Sequence, residues 1–394
     1  MSPDDAVATF LERVGAMPFG VETVSLDVAL GRILARPIAA DSDYPDADRS
    51  AMDGFAIDST QTPGRFTIAG EIAMGRVWDE RLAPGAALEI PTGGVLPEGA
   101  DAVVPIENVV RDGTAIDVGV VTKGENVSPR AGDMRAGEAV LRVGMRLGSP
   151  HIGVLATLGV ARVDVYRKPR FAIVSSGDEL IDVGARPRPG QIRDSNRYAI
   201  AAALSAMGAD AVQLPTVGDE PGALESALRD ALVACDGVVV SGGSSVGERD
   251  RTPAAIEALG EPGVVVHGLR VKPGKPTVMA AIGGKPVFGL PGNPTSALVI
   301  LQAVLPRVLG AYLGATPQMA EQKVILAGPV HSRIGWTWYV PVTLQHEAGD
   351  WTAHPLPLRS SSVSLAARAD GFIVVPEAAE NLSAGMNVMV TRFL

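Results

Sequence analysis

Cysteine is nearly missing: Cys235 is the single one among 394 residues. That excludes intrachain disulfides and cysteine-cluster metal sites. Its setting, Leu232-Val-Ala-Cys235-Asp-Gly237, reads as a helix end with a small buried apolar side chain. So few cysteines fit a reducing compartment. Aromatic residues make up 4%, so large cores must be built from aliphatic side chains. Basic charge is scarce, with 34 Lys and Arg against 44 Asp and Glu and a net charge of −10. A general nucleic-acid binder carries a basic face instead, so no nucleic-acid partner is expected. Long apolar runs are also missing. The best, Ala297 to Leu305, contains Gln302 and is followed by Pro306 and Arg307, so no membrane span is expected. The start, Met1-Ser-Pro-Asp-Asp5, has neither the basic nor the apolar region of a signal peptide. The expectation is a cytoplasmic protein. His151, His267, His331, His346 and His354 form no metal-ligand spacing. No nucleophile elbow and no Ser-His-Asp pattern appears.

Glycine (45) and proline (30) are plentiful, and hydrophobic residues make up 46%. The chain can bury substantial cores and is not globally disordered. At roughly 100–200 residues per domain, its length implies two to four domains. Ser2 as N-cap, Pro3 at the first helical position and Asp4 and Asp5 in the first turn announce an N-terminal helix. Within residues 1–40 the pattern predicts helix, strand and helix, the second helix carrying Val28, Leu30, Ile33 and Leu34 and ending before Pro37. Residues 41 to about 136 are punctuated by turn residues between short apolar runs, an all-β pattern. Asp112-Gly113 is a hairpin signal there. His151 to Leu158 predicts a short helix closed by Gly159.

Residues 167–315 alternate strand and helix, which predicts βαβ units and a mostly parallel sheet. Strands are expected at Phe171–Val174, Val212–Val217, Gly237–Ser241, Val264–His267, Thr277–Ile282 and Val287–Leu290. Helices are expected over Arg197–Met207, Pro221–Ala234 and Thr252 to Gly260, with one long helix over Thr295–Leu313. Ligands bind such sheets beyond the strand C-termini. Residues 316–394 read as all-β, with strands near Val324–Leu326, Trp338–Leu344, Gly371–Val375 and Val388–Val390.

Several motifs fall where chemistry belongs. Ser241-Gly-Gly-Ser-Ser-Val-Gly247 follows a strand. Its small residues suit backbone N–H groups converging on a phosphate, with Ser244 and Ser245 as hydroxyl donors; a plain flexible turn is the other reading. Asp250, close behind, suits Mg2+ beside a phosphate. Leu290-Pro-Gly-Asn-Pro294 precedes a helix whose N-terminus attracts anions, or is simply a turn. Arg270-Val-Lys272-Pro-Gly-Lys275-Pro276 holds two ammonium groups on a proline-stiffened loop. That suits an oxyanion or is a solvated basic loop. Asp178 and Glu179 follow a strand, and Asp194 precedes a helix. All three suit a hard cation or ordinary capping.

Taken with Ser50-Ala-Met-Asp53-Gly54, Thr92-Gly93, Leu96-Pro-Glu-Gly-Ala-Asp101, Ser176-Gly-Asp-Glu-Leu180, Gly190-Gln-Ile192 and Asp194-Ser-Asn196, these motifs occur in a familiar order. To about residue 315 the chain resembles the MoeA-type molybdopterin molybdenumtransferases, which include the gephyrin E domain. The resemblance implies a multidomain α/β plus β fold. A discontinuous helical domain would comprise residues 1–41 and 137–166, and a β-rich domain residues 42–136. A central three-layer α/β molybdopterin-binding domain, like molybdopterin adenylyltransferase, would span 167–315, and a C-terminal β barrel 316–394. It implies a homodimer with each active site shared between chains, and insertion of molybdate into adenylylated molybdopterin with Mg2+-dependent release of AMP. A molybdopterin adenylyltransferase would act upstream, and molybdoenzyme apoproteins would receive the product.

By the same resemblance Asp178, Glu179 and Asp250 are the metal candidates. Asp53, Asp133, Asp194, Asp250, Lys272 and Lys275 are the catalytic candidates, the two lysines facing molybdate. Thr92, Gly242, Gly243, Ser244, Ser245, Gly247, Pro276, Pro291, Gly292, Asn293, Pro294 and Ser361 would contact the substrate. Ser244 stands where the family usually has Val, and Gly94 where it often has Ala. The C-terminal region departs further. Gly335-Trp-Thr-Trp-Tyr-Val-Pro341 replaces a family pattern with two arginines, one of them expected near molybdate. Arg359 offers a possible replacement charge. A non-catalytic molybdopterin-binding paralogue or scaffold is therefore the alternative, and an ATP-using adenylyltransferase a second one.

Overall fold

A computed structural model describes residues 1–242, 251–347, 349–357 and 362–394. The chain forms two compact units. One comprises Met1–Ala35, Gly144–Gly148 and Arg162–Leu394; the other comprises Arg36–Val143 and Ser149–Ala161.

The centre of the first unit is a six-stranded sheet. Its order is Asp210–Gln213, Arg170–Ser175, Gly237–Ser241, Lys285–Leu290, Val278–Ile282 and Pro262–His267. The first four strands are parallel and the last two add antiparallel pairings. The parallel strands are continuous apolar runs because both sheet faces are covered. Phe171 and Ile173 face one core with Val239, and Ala172 and Val174 face another with Val238 and Val240. The first face is covered by helices Asn196–Ala206, Pro294–Ala303 and Leu305–Leu313 and by the N-terminal helix Pro3–Val14. The second is covered by Ala223–Ala234 and Arg251–Glu257. The expected three layers are present. The N-terminal helix is capped as read, Ser2 Oγ accepting from the Asp5 N–H at 3.1 Å.

Three expectations need correction. No helix carries Val28 to Leu34. A 3₁₀ turn, Leu26–Val28, leads to extended backbone in which Ile33 and Leu34 bridge Arg146 and Val165. Gly31, at φ +76, breaks the helical path. The expected long helix over Thr295–Leu313 is two helices, bent by 50° at Val304. Pro306 supplies no N–H and its ring cannot sit inside a continuous helix, so the chain restarts with Pro306 in the first turn. The helix before Cys235 begins at Ala223 behind Gly222 rather than at Pro221.

Five strands of the C-terminal region close on themselves: Glu321–Leu326, Asp350–Pro355, Thr337–Glu347, Gly371–Val375 and Asn387–Arg392. Asp350–Pro355 is the strand that apolar pattern alone missed. Closure removes both edges of the sheet. Val340, Val342, Ile373 and Val390 fill the barrel. At the start of the barrel strand Thr337–Glu347, Val271–Lys272 of the α/β region lies parallel to Thr337–Trp338.

The second unit holds another six-stranded sheet, ordered Ala102–Pro105, Gly54–Ile57, Ala86–Ile90, Gly64–Glu71, Ala115–Val118 and Val110–Asp112. The predicted hairpin is present, with Gly113 at φ +61 between its strands. Phe55 and Ile57 point into one core and Ala56 into another, the period-two alternation of a strand. Helix Ser149–Thr157 belongs to this unit, and Gly159 follows it at φ +70. Among the described residues no single helix is long and apolar enough to cross a membrane.

Candidate functional site

In the first unit, parallel strands end at Ser175, Ser241 and Leu290. The chain leaving each of them helps line a cavity of about 570 Å3. Ser176 and Glu179 come from the first exit and Gly242 from the second. Pro291, Gly292, Asn293 and Pro294 come from the third, with Asp194 and Asn196 from the helix start. Backbone crowding shapes this place. A Cβ on Gly242, whose φ is +98, would lie 2.4 Å from the Ser176 carbonyl oxygen. A Cβ on Gly292 would lie 3.6 Å from the Gly242 Cα. Glycine is required at 242, whereas a Cβ at 292 would make an ordinary van der Waals contact.

Asn196 ties them together. Its buried Nδ2 donates to Ser241 Oγ and to the Gly292 carbonyl, both at 2.8 Å. Asp194 is 1% exposed. Its Oδ1 accepts from the Arg197 N–H at 3.1 Å, a helix-start bond. Its Oδ2 has no hydrogen bond and stands 3.5 Å from Arg197 Nε. Asp194 thus caps the helix with one oxygen and is ion-paired to Arg197 through the other. Asp178 is exposed, and its Oδ1 accepts from the Asp219 N–H at 2.9 Å. The helix Pro294–Ala303 starts at the cavity, and its first N–H groups favour an anion.

A second cavity, of about 480 Å3, adjoins the first; both are lined by Pro276, Pro291 and Asn293. Lys272 and Lys275 line it, as do Ser296, Arg333, Trp336 and Trp338. The loop between the lysines is fixed sterically. A Cβ on Gly274, at φ +106, would fall 2.1 Å from Ile300 Cγ1 in the core. Pairing of Val271–Lys272 with Thr337–Trp338 sets Lys272 Nζ 4.0 Å from the Trp338 ring centre. Sequence reasoning missed Asn196, Ser296 and Arg333 as members of this region. The Trp-Thr-Trp-Tyr alternation was the available signal: Trp336 and Trp338 line this cavity, and Thr337 and Tyr339 line a different one.

In the second unit Asp53 and Thr92 are together. Asp53 Oδ1 accepts from the Thr92 N–H at 2.7 Å and from its hydroxyl at 2.8 Å. The Thr92 backbone bond, then the hydroxyl, hold the Asp53 carboxyl below the usual carboxylate range. Asp133 lies in a separate turn, donating its N–H to Tyr44 O, and its side chain makes no hydrogen bond among the described residues. Gly243, Ser244, Ser245, Gly247, Asp250, Arg359 and Ser361 lie outside the described residues.

The implied Mg2+ can be tested against the donors. They are oxygens throughout: Glu179, Asp194 and the hydroxyls of Ser176 and Ser241 line the cavity. Among the described residues no three carboxylate, His or Cys side chains converge. Mg2+ is commonly held by one or two carboxylates with phosphate oxygens and water completing the shell, so the set fits.

Three family models match in sequence order: "MoeA N-terminal region (domain I and II)" over residues 1–159, "Probable molybdopterin binding domain" over 172–310 and "MoeA C-terminal region (domain IV)" over 323–393. The molybdopterin molybdenumtransferase of Bacillus subtilis (strain 168) is 33% identical over 383 residues, covering 94% of this chain and 89% of that protein. That of Haemophilus influenzae is 31% identical over 406 residues, covering 99% and 98%. A crystal structure of a molybdopterin biosynthesis MoeA protein from Pyrococcus horikoshii superposes with a TM-score of 0.88 at 26% identity, covering all of both chains. Another from that organism gives 0.83 at 32% identity, covering 100% of this chain and 99% of that one.

Proposed function

The chain belongs to the MoeA family, and on that premise we propose that it is a molybdopterin molybdenumtransferase of molybdenum cofactor biosynthesis. It inserts molybdate into adenylylated molybdopterin and releases AMP. The observation that carries this reading is the adjoining of two unlike cavities through Pro276, Pro291 and Asn293. The first offers backbone N–H groups, hydroxyls and a helix N-terminus, which suit a phosphorylated substrate. The second offers cationic side chains, which suit a tetrahedral oxyanion delivered beside it. Bound Mg2+ supplies charge neutralisation at the anhydride being broken. Glu179, which lines the cavity, and its chain neighbour Asp178, which does not, would hold it with Asp250. Lys272 and Lys275 bind and orient molybdate, and Asp194 orders the helix start under the substrate.

We also propose the four-domain division given above, and a homodimer in which Asp53, Thr92 and Asp133 complete a site shared between chains. The ionised, doubly held Asp53 is suited to fixing a substrate donor group in one orientation.

Purified protein should release AMP from adenylylated molybdopterin with Mg2+, dependent on molybdate, with molybdenum retained on the product. Tight substrate binding without AMP release would turn the assignment to the scaffold. ATP-dependent adenylylation of molybdopterin would turn it to the adenylyltransferase. Asp250→Ala should abolish release while the dimer persists; unchanged release would remove Asp250 from the metal site.

A further inference from the structure

Other arginines of this unit are neutralised by carboxylates: Arg270, next to the lysine loop, pairs with Glu377, and Arg307, which lines a different cavity, pairs with Asp4. Inside the cavity the pattern changes. Lys272, Lys275 and Arg333 all line it, no carboxylate does, and none of the three pairs with a carboxylate among the described residues. In a chain of net charge −10, three cations around one cavity with no carboxylate partner among the described residues require an explanation.

Two of the three rest on indole rings instead. Lys272 Nζ is 4.0 Å from the Trp338 ring centre, and Arg333 Cζ is 6.0 Å from that of Trp336. A carboxylate neighbour would fix a cation and cancel its charge. An aromatic face attracts the cation through its quadrupole and leaves the full charge for another ligand. Trp338 is the second residue of the barrel strand Thr337–Glu347, whose parallel register sets it against Lys272, and Trp336 immediately precedes that strand.

We infer that Arg333, contributed by the barrel, is a third cationic ligand for the oxyanion, and that Trp336 and Trp338 are positioning residues that hold Arg333 and Lys272 without neutralising them. The inference rests on the proposed use of this cavity for molybdate. It assigns an anion ligand to Arg333, two residues before the segment Gly335–Pro341 that the family resemblance marked as having lost its arginines.

The test is titration of the full-length protein with molybdate, followed by calorimetry and by tryptophan emission. Arg333 is exposed, so Arg333→Ala should leave thermal unfolding unchanged while weakening molybdate binding about tenfold, with partial recovery in Arg333→Lys. Trp338→Phe should stay within about twofold of the wild type and Trp338→Leu should lose about three- to fivefold, because the ring face is the acting element. Molybdate binding by Arg333→Ala equal to wild type overturns the inference, even if AMP release stands. Failure of the wild type to bind molybdate at all also overturns it. Absence of AMP release with the Arg333 effect intact would instead count against the transferase reading alone. Equal loss in Trp338→Phe and Trp338→Leu, both folded, would remove the positioning role of the indole.

Discussion

The two adjoining cavities are built by opposite means. The one at the strand exits is made of backbone and short side chains: Gly242 against Ser176, Gly292 against Gly242, and Asn196 bonded to both neighbouring loops. The one beside the barrel is made of long charged side chains laid on rings. A cradle of the first kind is fixed by sterics, so it has no small adjustments. In a site of the second kind the loop backbone is fixed at Gly274, but the charged side chains are placed by charge and orientation, so they adjust by movement and respond to salt. The difference teaches where this molecule tolerates change. Its tryptophans and arginine can be exchanged for other cation-bearing arrangements, whereas Gly242 cannot be replaced.

The largest expected effect comes from Gly242→Ala. A methyl group 2.4 Å from the Ser176 carbonyl, on backbone at φ +98, should cost about 3 kcal/mol and abolish substrate binding. Denaturant unfolding measures the first and a substrate titration the second. A stable, binding-competent variant would break the comparison. Asn196→Ala comes next. It leaves the Gly292 carbonyl and Ser241 hydroxyl without their shared donor, at about 2 kcal/mol. The same unfolding measurement should show this loss, together with weakened substrate binding but unchanged molybdate binding. Equal losses for both ligands would mean that the cavities act as one.

The smallest effect belongs to the opposite end of the same strands and serves as the reference. Asp236 accepts from Arg167 Nη1 and Nη2, both at 2.8 Å, and from the Arg170 N–H at 2.7 Å. Burial pushes its carboxyl up, but Arg167 and the Arg170 N–H outweigh that and hold it below the usual value of 3.8. A depressed folded value means that this stabilisation is complete above the ordinary value and is lost as pH falls through the folded one. Asp236→Asn should therefore flatten the acid limb of the unfolding curve below about pH 4 while leaving ligand binding near pH 7 unchanged.

The strand-exit cavity was largely legible in the sequence, because each exit is a local motif attached to a recognisable apolar strand. What was not legible depended on distant register. Val28, Leu30, Ile33 and Leu34 are spaced like a helix face, yet bridges to Arg146 and Val165, far along the chain, draw Ile33 and Leu34 into extended backbone. Asp350–Pro355 is too polar to announce itself and is a strand because Thr337–Glu347 and Glu321–Leu326 flank it. Arg333 had no motif around it. Its place beside Lys272 follows from one two-residue strand pairing between segments of the chain that no local pattern connects. The break at Val304, by contrast, was written in Pro306 and was overridden by the apolar pattern on either side.

That two-residue pairing also bears on inheritance. A barrel joined only by a linker could be gained, lost or exchanged like a bead on a string. Here the Thr337 N–H donates to the Arg270 carbonyl at 2.9 Å, so the lysine loop borrows backbone order from the barrel. A chain ending after residue 315 would keep every glycine exit of the α/β sheet yet lose one wall of the neighbouring cavity. Descent can therefore vary the residues on that wall, but the wall and the loop must pass on together.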